Sequence, residues 1–322
     1  MILTVTLNPL LEKRLYFAEL NLNSNNRSIK EEFKSGGKGI NVSRQLNKLG
    51  INNQAITYLG GQTGKDLRRI LTEENINFYA VSSKANTREA VVAIDMSENS
   101  ATTLFPPNPI ISDSEANDFA SKLERMIMNC SIVIFSGSSP NSSTDFIFPY
   151  GIELANKYDK VSILDTYGIH LEECIKAKPT VIHNNVEEIK SSLQVSLNNE
   201  DDYTNYLKEL YKKDIKLAFI TNGANYTYCS KFNFHYKITN PKVNPIDATG
   251  SGDAFVAGLA YGLEKDLVYD EFIKIASALG AYNASVLDTC NFDYDTISPL
   301  INSVIVEPIG KKMKLIDDSP TI

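Results

Sequence analysis

The sequence predicts an α/β fold, with a doubly wound, mostly parallel sheet flanked by helices and a small β-sheet lid beside it. From residue 112 onward, short apolar runs typical of buried strands alternate with segments of helical periodicity, as in a parallel sheet covered on both faces. Two earlier stretches, 12–35 and 86–107, are typical of half-exposed strands. The unusual glycine turns all lie between a predicted strand and a predicted helix, and such turns gather at one edge of a parallel sheet.

These observations define the predicted domains. A chain of 322 residues is longer than an average domain, but α/β folds reach this length with a small addition. We expect one α/β core built from residues 1–11, 36–85 and 108–322, with residues 12–35 and 86–107 forming the lid.

Individual elements follow from periodicity and turn signals. In the first third of the chain we predict helices after the glycine turns at 36–39 and 60–64, and strands over residues 2–7, 28–34, 54–59, 88–95 and 101–105. In the remainder we predict a helix after a capping box at 112–115, helices up to about residue 302, a hairpin within 226–243, and strands over 131–135, 161–164, 180–182 and 216–220.

Composition limits the class of protein. The formal net charge is −7, whereas nucleic-acid and anionic-membrane surfaces need clustered Lys and Arg, so we expect neither partner. The four cysteines lack the spacing of a metal site or a disulfide framework, and we interpret them as buried thiols in a reducing compartment. No apolar run approaches the roughly 18 residues of a membrane span, and no signal peptide is recognisable, so we expect a cytoplasmic protein.

The stretch DATGSGD at residues 247–253 carries the strongest chemical signal. Apolar residues recur with helical spacing directly after it, so Gly250, Ser251 and Gly252 are predicted to open a buried helix. The unpaired amides and the dipole of a helix N-terminus attract anions, and Asp253 would lie beside the bound anion. A base next to a phosphate site favours phosphoryl transfer, and a capped helix start with no ligand is the alternative.

A second glycine turn, GGKG at residues 36–39, matches neither the GxGxxG dinucleotide fingerprint nor the Walker A loop. Gly36 and Gly37 would allow the backbone to contact a polyhydroxylated ligand, Lys38 adds a cation, and Asn41 offers a donor and an acceptor to hydroxyl groups. A tight turn with a helix cap is the alternative interpretation.

Four further side chains have two interpretations each. Asn185 and Glu188 have the spacing of a capping box, but Glu188 near a triphosphate would hold Mg²⁺ largely through waters. Arg88 and Arg27 could each fork onto a substrate phosphate from a lid strand, although a solvated surface arginine is the more usual explanation.

Seven motifs occur in order along nearly the whole chain. They are TLNP at residues 6–9, GGKGINV at 36–42, GGQTG at 60–64, TR at 87–88, GSSP at 137–140, NVEE at 185–188 and the segment 247–258. In this order they resemble the motifs of the ribokinase-like (PfkB) carbohydrate kinases. TLNP and the lysine of GGKGINV are most similar to the branch containing 1-phosphofructokinase and tagatose-6-phosphate kinase.

The resemblance implies a ribokinase-like fold whose core binds ATP with Mg²⁺ and a sugar substrate. By family role, Asp253 would be the base for the sugar hydroxyl, and Gly250, Ser251 and Gly252 would form the anion hole for the transferring phosphate. The lid of this family commonly pairs between subunits, so the resemblance also implies a homodimer clasped through the lid.

The other site residues follow from the same resemblance. It implies a substrate side, a Mg-nucleotide motif with Glu188 holding Mg²⁺ through water, a nucleotide-contacting turn, and an acidic position associated with a monovalent cation such as K⁺. The substrate side is Glu12, Arg27, Gly36, Gly37, Lys38, Asn41, Arg88 and Ser138. The Mg-nucleotide motif is Asn185 and Glu188, and the nucleotide-contacting turn is Thr221 and Gly223. The position associated with a monovalent cation is Asp247.

Four segments depart from the family pattern. Glu12 stands where the branch usually has Asp, so a contact to a sugar hydroxyl is one methylene longer. His183 and Asn184 replace a Lys-Pro pair, which removes a lysine near the nucleotide phosphates. The segments 137–142 and 223–226 also differ from their family counterparts.

We therefore expect ATP-dependent phosphorylation of a hydroxyl of a ketohexose phosphate, of the tagatose 6-phosphate or fructose 1-phosphate type, giving a bisphosphate. Two alternatives stay open. Asp247 and Glu12 suggest a kinase for an unphosphorylated sugar or nucleoside. The change at residues 183–184 suggests a catalytically weak sugar- or nucleotide-binding regulator.

Overall fold

The computed structural model describes residues 1–310, which contain fourteen strands and ten α-helices. The strands are β1 (Ile2–Thr6), β2 (Leu10–Phe17), β3 (Lys30–Gly36), β4 (Asn53–Gly60), β5 (Phe78–Ser83), β6 (Arg88–Asp95), β7 (Ser100–Leu104), β8 (Ile132–Ser136), β9 (Val161–Asp165), β10 (Val181–Asn185), β11 (Leu217–Asn222), β12 (Tyr226–Lys231), β13 (Phe234–Thr239) and β14 (Ile305–Ile309). The helices are α1 (Lys38–Lys48), α2 (Gly61–Glu73), α3 (Asp113–Met128), α4 (Ile147–Lys157), α5 (Leu171–Lys176), α6 (Val186–Leu193), α7 (Glu200–Lys212), α8 (Ser251–Glu264), α9 (Tyr269–Ala284) and α10 (Tyr294–Ile301).

Ten strands form the main sheet, in the order β14-β13-β12-β11-β10-β9-β8-β1-β4-β5. The strands from β11 to β5 pair in parallel, and the edge formed by β12, β13 and β14 is antiparallel. The predicted fold class, a mostly parallel α/β sheet, is therefore confirmed.

Helices cover both faces of the main sheet. Val133 and Phe135 of β8 belong to one apolar cluster, with α3 and α4, whereas Ile132 and Ile134 belong to another, with α8 and α9. Successive residues of a strand point to opposite faces, so the two clusters lie on opposite sides of the sheet. Burial on both sides explains why these strands are continuous apolar runs in the sequence.

The four remaining strands form a small sheet in the order β3-β2-β6-β7. It is mixed, because β2 pairs in parallel with β6 while the outer pairs are antiparallel. The connection after α9 holds this sheet to the rest of the molecule. Arg14 Nη1 donates a hydrogen bond of 2.8 Å to the carbonyl of Leu287, and Lys34 forms an ion pair with Asp288.

Two strands were not predicted. β5 is only partly buried and β14 contains Pro308, so neither has the apolar pattern of a central strand. Both lie at the ends of the main sheet, where proline and exposed side chains are tolerated. Residues 311–322, which the prediction assigned to the core, lie outside the described residues.

The prediction that the four cysteines are buried is confirmed for Cys130, Cys174, Cys229 and Cys290. Among the described helices, none combines the length and the apolar character that crossing a bilayer requires.

Candidate active site

Four charged side chains meet at the carboxyl edge of the main sheet. Lys38 begins α1, Asp165 ends β9, Glu188 lies in the first turn of α6, and Asp253 lies in the first turn of α8. Lys38 Nζ is 2.6 Å from Glu188 Oε1 and 3.2 Å from Asp165 Oδ1. We call these four residues the charge cluster.

Asp253 is the acid of the charge cluster whose pKa is raised. It is 3% exposed, and its Oδ2 accepts a hydrogen bond of 2.7 Å from Asn41 Nδ2. Burial raises the pKa of Asp253 to about 7, assisted by the nearby charges of Asp165 and Glu188, while Lys38 and the Asn41 hydrogen bond act in the opposite direction. A carboxylate with this pKa can accept a proton near neutral pH.

Lys38 and Asp165 are held in their charged forms. Burial lowers the pKa of Lys38, but Asp165, Glu188 and Asp253 outweigh that effect, so its pKa lies above the usual value. Burial likewise raises the pKa of Asp165, but Lys38 and His183 outweigh it, so this pKa lies below the usual value. The site therefore holds a fixed cation, Lys38, next to a fixed anion, Asp165.

The N-terminus of α8 is open. Its N-cap residue, Gly250, has φ 79° and provides no side-chain cap, and a Cβ at this position would lie 2.2 Å from Thr289 Cγ2. Only glycine fits such a position. The amide of Ser251 donates to the carbonyl of Ala248 at 3.1 Å, whereas the amides of Gly252 and Asp253 have no hydrogen-bond partner within residues 1–310. These two amides are available to bind an anion beside the Asp253 carboxylate.

His183 contacts several of the elements that carry the charge cluster. Its Nδ1 lies 3.0 Å from Asp165 Oδ1 and its Nε2 lies 3.3 Å from Thr221 Oγ1. The ring stacks on Phe255 of α8 with a centroid distance of 5.2 Å, and a Cβ on Gly252 would lie 3.2 Å from His183 Cε1. The histidine thus ties β9, β10, β11 and α8 together under the charge cluster.

The capping box of α6 is present and faces the charge cluster. Asn185 Oδ1 accepts from the amide of Glu188 at 2.8 Å, and Glu188 Oε2 accepts from the amide of Asn185 at 3.0 Å. The other carboxylate oxygen of Glu188 is the one that contacts Lys38. Glu188 therefore caps the helix with one carboxylate oxygen and contacts the charge cluster with the other.

Arg88, the first residue of β6 in the small sheet, lies in a second polar group. Its Nη2 donates to the carbonyl of Asn8 at 3.0 Å and its Nη1 to Asn108 Oδ1 at 3.2 Å. Asn8 Nδ2 also reaches Ser138 Oγ at 3.1 Å. Arg88 Nε is buried without a hydrogen-bond partner among the described residues. A buried guanidinium donor without a partner suits an anionic ligand.

Comparison with known proteins identifies the family. Residues 10–296 match the family model described as "pfkB family carbohydrate kinase". The chain belongs to the pfkB family of carbohydrate kinases. It is thus a sugar kinase, that is, a phosphotransferase, and its fold is the ribokinase-like fold of that family.

Several known proteins match this chain over almost their whole length. Tagatose-6-phosphate kinase of Staphylococcus epidermidis is 29% identical over 315 residues, covering 95% of this chain and 99% of that protein. A solved structure of a possible 1-phosphofructokinase from Thermotoga maritima has a TM-score of 0.88 and 26% identity, covering 96% of this chain and 100% of the other. Phosphofructokinase-2 from Escherichia coli has a TM-score of 0.84 and 21% identity, covering 94% and 98%.

Within this pfkB-family fold, several predicted residues lie outside the charge cluster. Glu12 forms an ion pair of 2.8 Å with Arg14, and it lies against Gly36, where a Cβ would come within 2.8 Å of Glu12 Oε1. Arg27 was predicted on a strand, and this prediction was wrong. It lies in the exposed connection between β2 and β3, because the polar residues before Lys30 form turns rather than pairing with β2.

The remaining predicted positions line the ends of strands and helices. Gly37 is the N-cap of α1 with φ 120°, and Ser251 Oγ accepts a hydrogen bond of 3.3 Å from Asn283 Nδ2. Gly223, with φ 54°, follows β11 in an exposed turn. Asp247 Oδ1 accepts from the amide of Thr249 at 2.9 Å, a local turn contact.

Sequence reasoning missed two side chains of the pfkB-family site. The predicted strand 161–164 stopped one residue before Asp165, which is fully buried and contacts both Lys38 and His183. An acid at the carboxyl end of a buried strand was the available signal. Asn108 contacts Arg88 and Asn8, but it lies in the proline-rich segment that we treated only as the end of the lid.

The carboxylates at the site suit a Mg²⁺ ion that takes most of its ligands from substrate phosphates and waters. Within residues 1–310, no group of three or more His, Cys, Asp or Glu side chains is arranged to hold a metal ion. Mg²⁺ in kinase sites usually takes one or two carboxylates and completes its shell with substrate phosphates and waters. Glu188 and Asp165 fit that smaller role.

Proposed function

We propose that this protein is an ATP-dependent kinase that phosphorylates a hydroxyl of a ketohexose phosphate, of the tagatose 6-phosphate or fructose 1-phosphate type, giving a bisphosphate. The observation that carries the proposal is Asp253, a buried carboxyl group with a pKa of about 7 at the uncapped N-terminus of α8. A proton acceptor and an anion site lie side by side there, as transfer of a phosphoryl group to a hydroxyl requires.

The roles of the residues follow from this arrangement. Asp253 accepts the proton of the attacking sugar hydroxyl, while the amides of Gly252 and its neighbours stabilise the charge on the transferred group. The ammonium of Lys38 adds a positive charge on the same side. When bound, ATP supplies the phosphoryl group and Mg²⁺ neutralises its phosphates. Asn185, Glu188, Thr221 and Gly223 would hold the nucleotide and metal.

Arg88 favours a phosphorylated acceptor over a neutral sugar. The guanidinium has a buried Nε without a partner, and burial lowers its pKa below the usual value. A bound phosphate would supply both the missing acceptor and a compensating charge. Ser138, linked to Arg88 through Asn8, would complete this end of the sugar site. Relatives named for sugar phosphates support the same choice.

We further propose that residues 12–35 and 86–107 act as a lid and as the clasp of a homodimer. Apolar side chains on or beside the small sheet are exposed: Phe33 is 39%, Leu104 60% and Phe105 63% accessible. Exposed apolar groups clustered on one small sheet favour pairing with another protein surface. Asp247 is a proposed ligand for K⁺, and Arg27 a proposed phosphate contact.

A substrate panel tests the proposal. ATP consumption would be measured with tagatose 6-phosphate, fructose 1-phosphate, fructose 6-phosphate, fructose and ribose, each with Mg²⁺. We expect turnover with a ketohexose phosphate and little with the neutral sugars. Turnover with ribose or fructose alone would support the kinase for unphosphorylated sugars. No turnover with any member, combined with measurable binding, would support a regulator.

Replacing Arg88 sharpens the result. Arg88→Ala should raise KM for the phosphorylated sugar by roughly 10- to 100-fold, because a charge-assisted contact to its phosphate is lost. KM for ATP should change little. Arg125→Ala on the exposed surface of α3 is the matched control and should leave both KM values unchanged. An Arg88→Ala enzyme with wild-type KM would exclude the phosphate contact.

A further inference from the structure

We propose that Arg44 is a positioning residue that determines whether the NH₂ group or the oxygen of the Asn41 amide points at Asp253. By holding the NH₂ group there, it keeps Asp253 ready to accept a proton. The inference rests on the proposed function, in which Asp253 is the base. Arg44 does not itself contact Asp253. It acts through Asn41, one turn earlier on the same helix.

The orientation of the Asn41 amide follows from donor chemistry. Arg44 Nη1 lies 2.9 Å from Asn41 Oδ1, and Asn41 Nδ2 lies 2.7 Å from Asp253 Oδ2. A guanidinium group can only donate hydrogen bonds, so the amide oxygen must face Arg44. The amide NH₂ is then left for Asp253, where it stabilises the ionised carboxylate. Without Arg44, the amide could rotate and place its oxygen against that carboxylate.

Arg44 is held rigidly enough to impose this orientation. Its side chain is 9% exposed and its Nη2 is 3.0 Å from Glu74 Oε2. Nη2 donates to the carbonyl and hydroxyl of Ser35 at 2.6 and 2.7 Å, and Nη1 also reaches the carbonyl of Thr289 at 3.3 Å. These acceptors come from the end of α2, from β3 and from the connection after α9. The guanidinium is therefore fixed by three separate segments.

Other charges around Asp253 do not duplicate this role. Lys38 approaches from α1, Asp165 from β9 and Glu188 from α6, and all three act on Asp253 through space. Cys290, in the connection after α9, is near enough that the Asp253 charge adds to burial in raising the pKa of its thiol. Asn41 provides the one side-chain hydrogen bond to Asp253 within residues 1–310, and that bond lowers the pKa of Asp253. Losing it should raise the pH at which Asp253 ionises.

The test compares two variants. Arg44→Met keeps a side chain of similar length but removes every hydrogen-bond donor, and Arg44→Lys keeps one donor group but loses the forked guanidinium. Arg69→Lys is the matched control, because Arg69 forms an exposed ion pair with Glu73 on α2, with side chains 59% and 58% accessible. Two quantities would be measured: kcat and KM across pH, and the titration of the Asp253 carboxyl carbon by NMR in labelled protein.

We expect Arg44→Met to lower kcat by roughly 10- to 100-fold at mildly acidic pH and much less at alkaline pH, with KM nearly unchanged. Arg44→Lys should lie between Arg44→Met and the wild type. In both variants the Asp253 carboxyl should titrate at higher pH. A thermal melt reports folding, and if Arg44→Met does not fold, Arg44→Lys decides the question.

The outcomes separate this inference from the proposed function. A uniform loss of kcat at every pH, with Asp253 titrating as in the wild type, would overturn the positioning role and leave the kinase proposal intact. A wild-type profile in Arg44→Lys would also overturn it. If the wild type is inactive on the substrate panel but Asp253 titrates higher in the variants, the kinase proposal fails and the positioning role stands.

Discussion

The first turns of α6 and α8 have the same spacing of cap and acid but opposite chemistry. In α6, Asn185 caps the helix and the N3 acid, Glu188, folds back onto the Asn185 amide. In α8 the cap position is Gly250, which has no side chain to offer, and the N3 acid, Asp253, accepts from Asn41 instead. One helix start is closed by its own residues, and the other is left open.

This difference shows how one local pattern can serve structure or chemistry. A closed capping box stabilises a helix because it satisfies orphan amides from within the chain. An open helix start leaves the same amides for a ligand. Four experiments test whether the contrast between the closed and the open helix start has the consequences that we infer.

The largest effect should come from the acid of the open helix. Asp253→Asn should lower kcat by roughly 10²- to 10⁴-fold, because the proton acceptor is lost while the site keeps its shape. Nucleotide affinity, measured by calorimetry, should be nearly unchanged. Asp266→Asn, in the exposed turn that follows α8, is the control. Wild-type turnover in Asp253→Asn would remove this residue from the catalytic role.

The open cap should be intolerant of any side chain. Gly250→Ala should destabilise the protein by about 3 kcal/mol, since it combines a left-handed backbone with a Cβ 2.2 Å from Thr289 Cγ2. Gly50→Ala is the matched control, because Gly50 has φ 69° and no atom within 4 Å of its Cβ position, and it should cost about 1 kcal/mol. Denaturant unfolding measures both, and equal costs would contradict the steric argument.

Activity should depend on pH through Asp253. The pKa of about 7 predicts that kcat falls as pH drops through that value, by about tenfold between mildly alkaline and mildly acidic buffers. Stability should change in the opposite direction. The folded-state pKa lies above the ordinary value of 3.8, so the stability contributed by protonated Asp253 is present at low pH and lost as pH rises through about 7.

Asp253→Asn provides the check on both parts of this pH prediction. The variant should lose the pH dependence of its residual activity and gain stability at alkaline pH, measured as Tm against pH. A kcat profile that is flat across neutral pH in the wild type would contradict the assignment.

The smallest effect should come from the closed helix. Asn185→Ala and Ser112→Ala each remove the cap of a capping box, and each should cost about 1 kcal/mol of unfolding free energy. Only Asn185→Ala also frees Glu188 beside Lys38, so it alone should raise KM for MgATP, by a few fold. Equal KM values in the two variants would show that the α6 box is structural.

Local features were predictable because they depend on neighbouring residues. The capping boxes at 112–115 and 185–188 are both present, since a cap involves side chains three residues apart. The buried strands β1, β4, β8 and β11 were found because burial on both faces demands continuous apolar runs. β14 was missed because most of its residues are exposed and its place in the sheet depends on backbone pairing with β13.

The contacts of the site could not be predicted in the same way. The sequence suggested Lys38 as a substrate contact and gave no indication of Asp165 or Arg44. The structure places Lys38 between Asp165 and Glu188. Asn41 and Asp253 are separated by 212 positions, and Arg44 and Thr289 by 245. Such pairs meet only after the strands have adopted their order in the sheet.

The amino-acid sequence alone therefore determined the fold class, the glycine turns and the acid that faces an open helix start, since these depend on short-range periodicity and backbone chemistry. Only the folded molecule decided which charges face one another and which amide atom faces Asp253. The physical reason is that hydrogen bonds between distant segments depend on the order of β1, β8, β9 and β10 in the sheet, and no local pattern encodes that order.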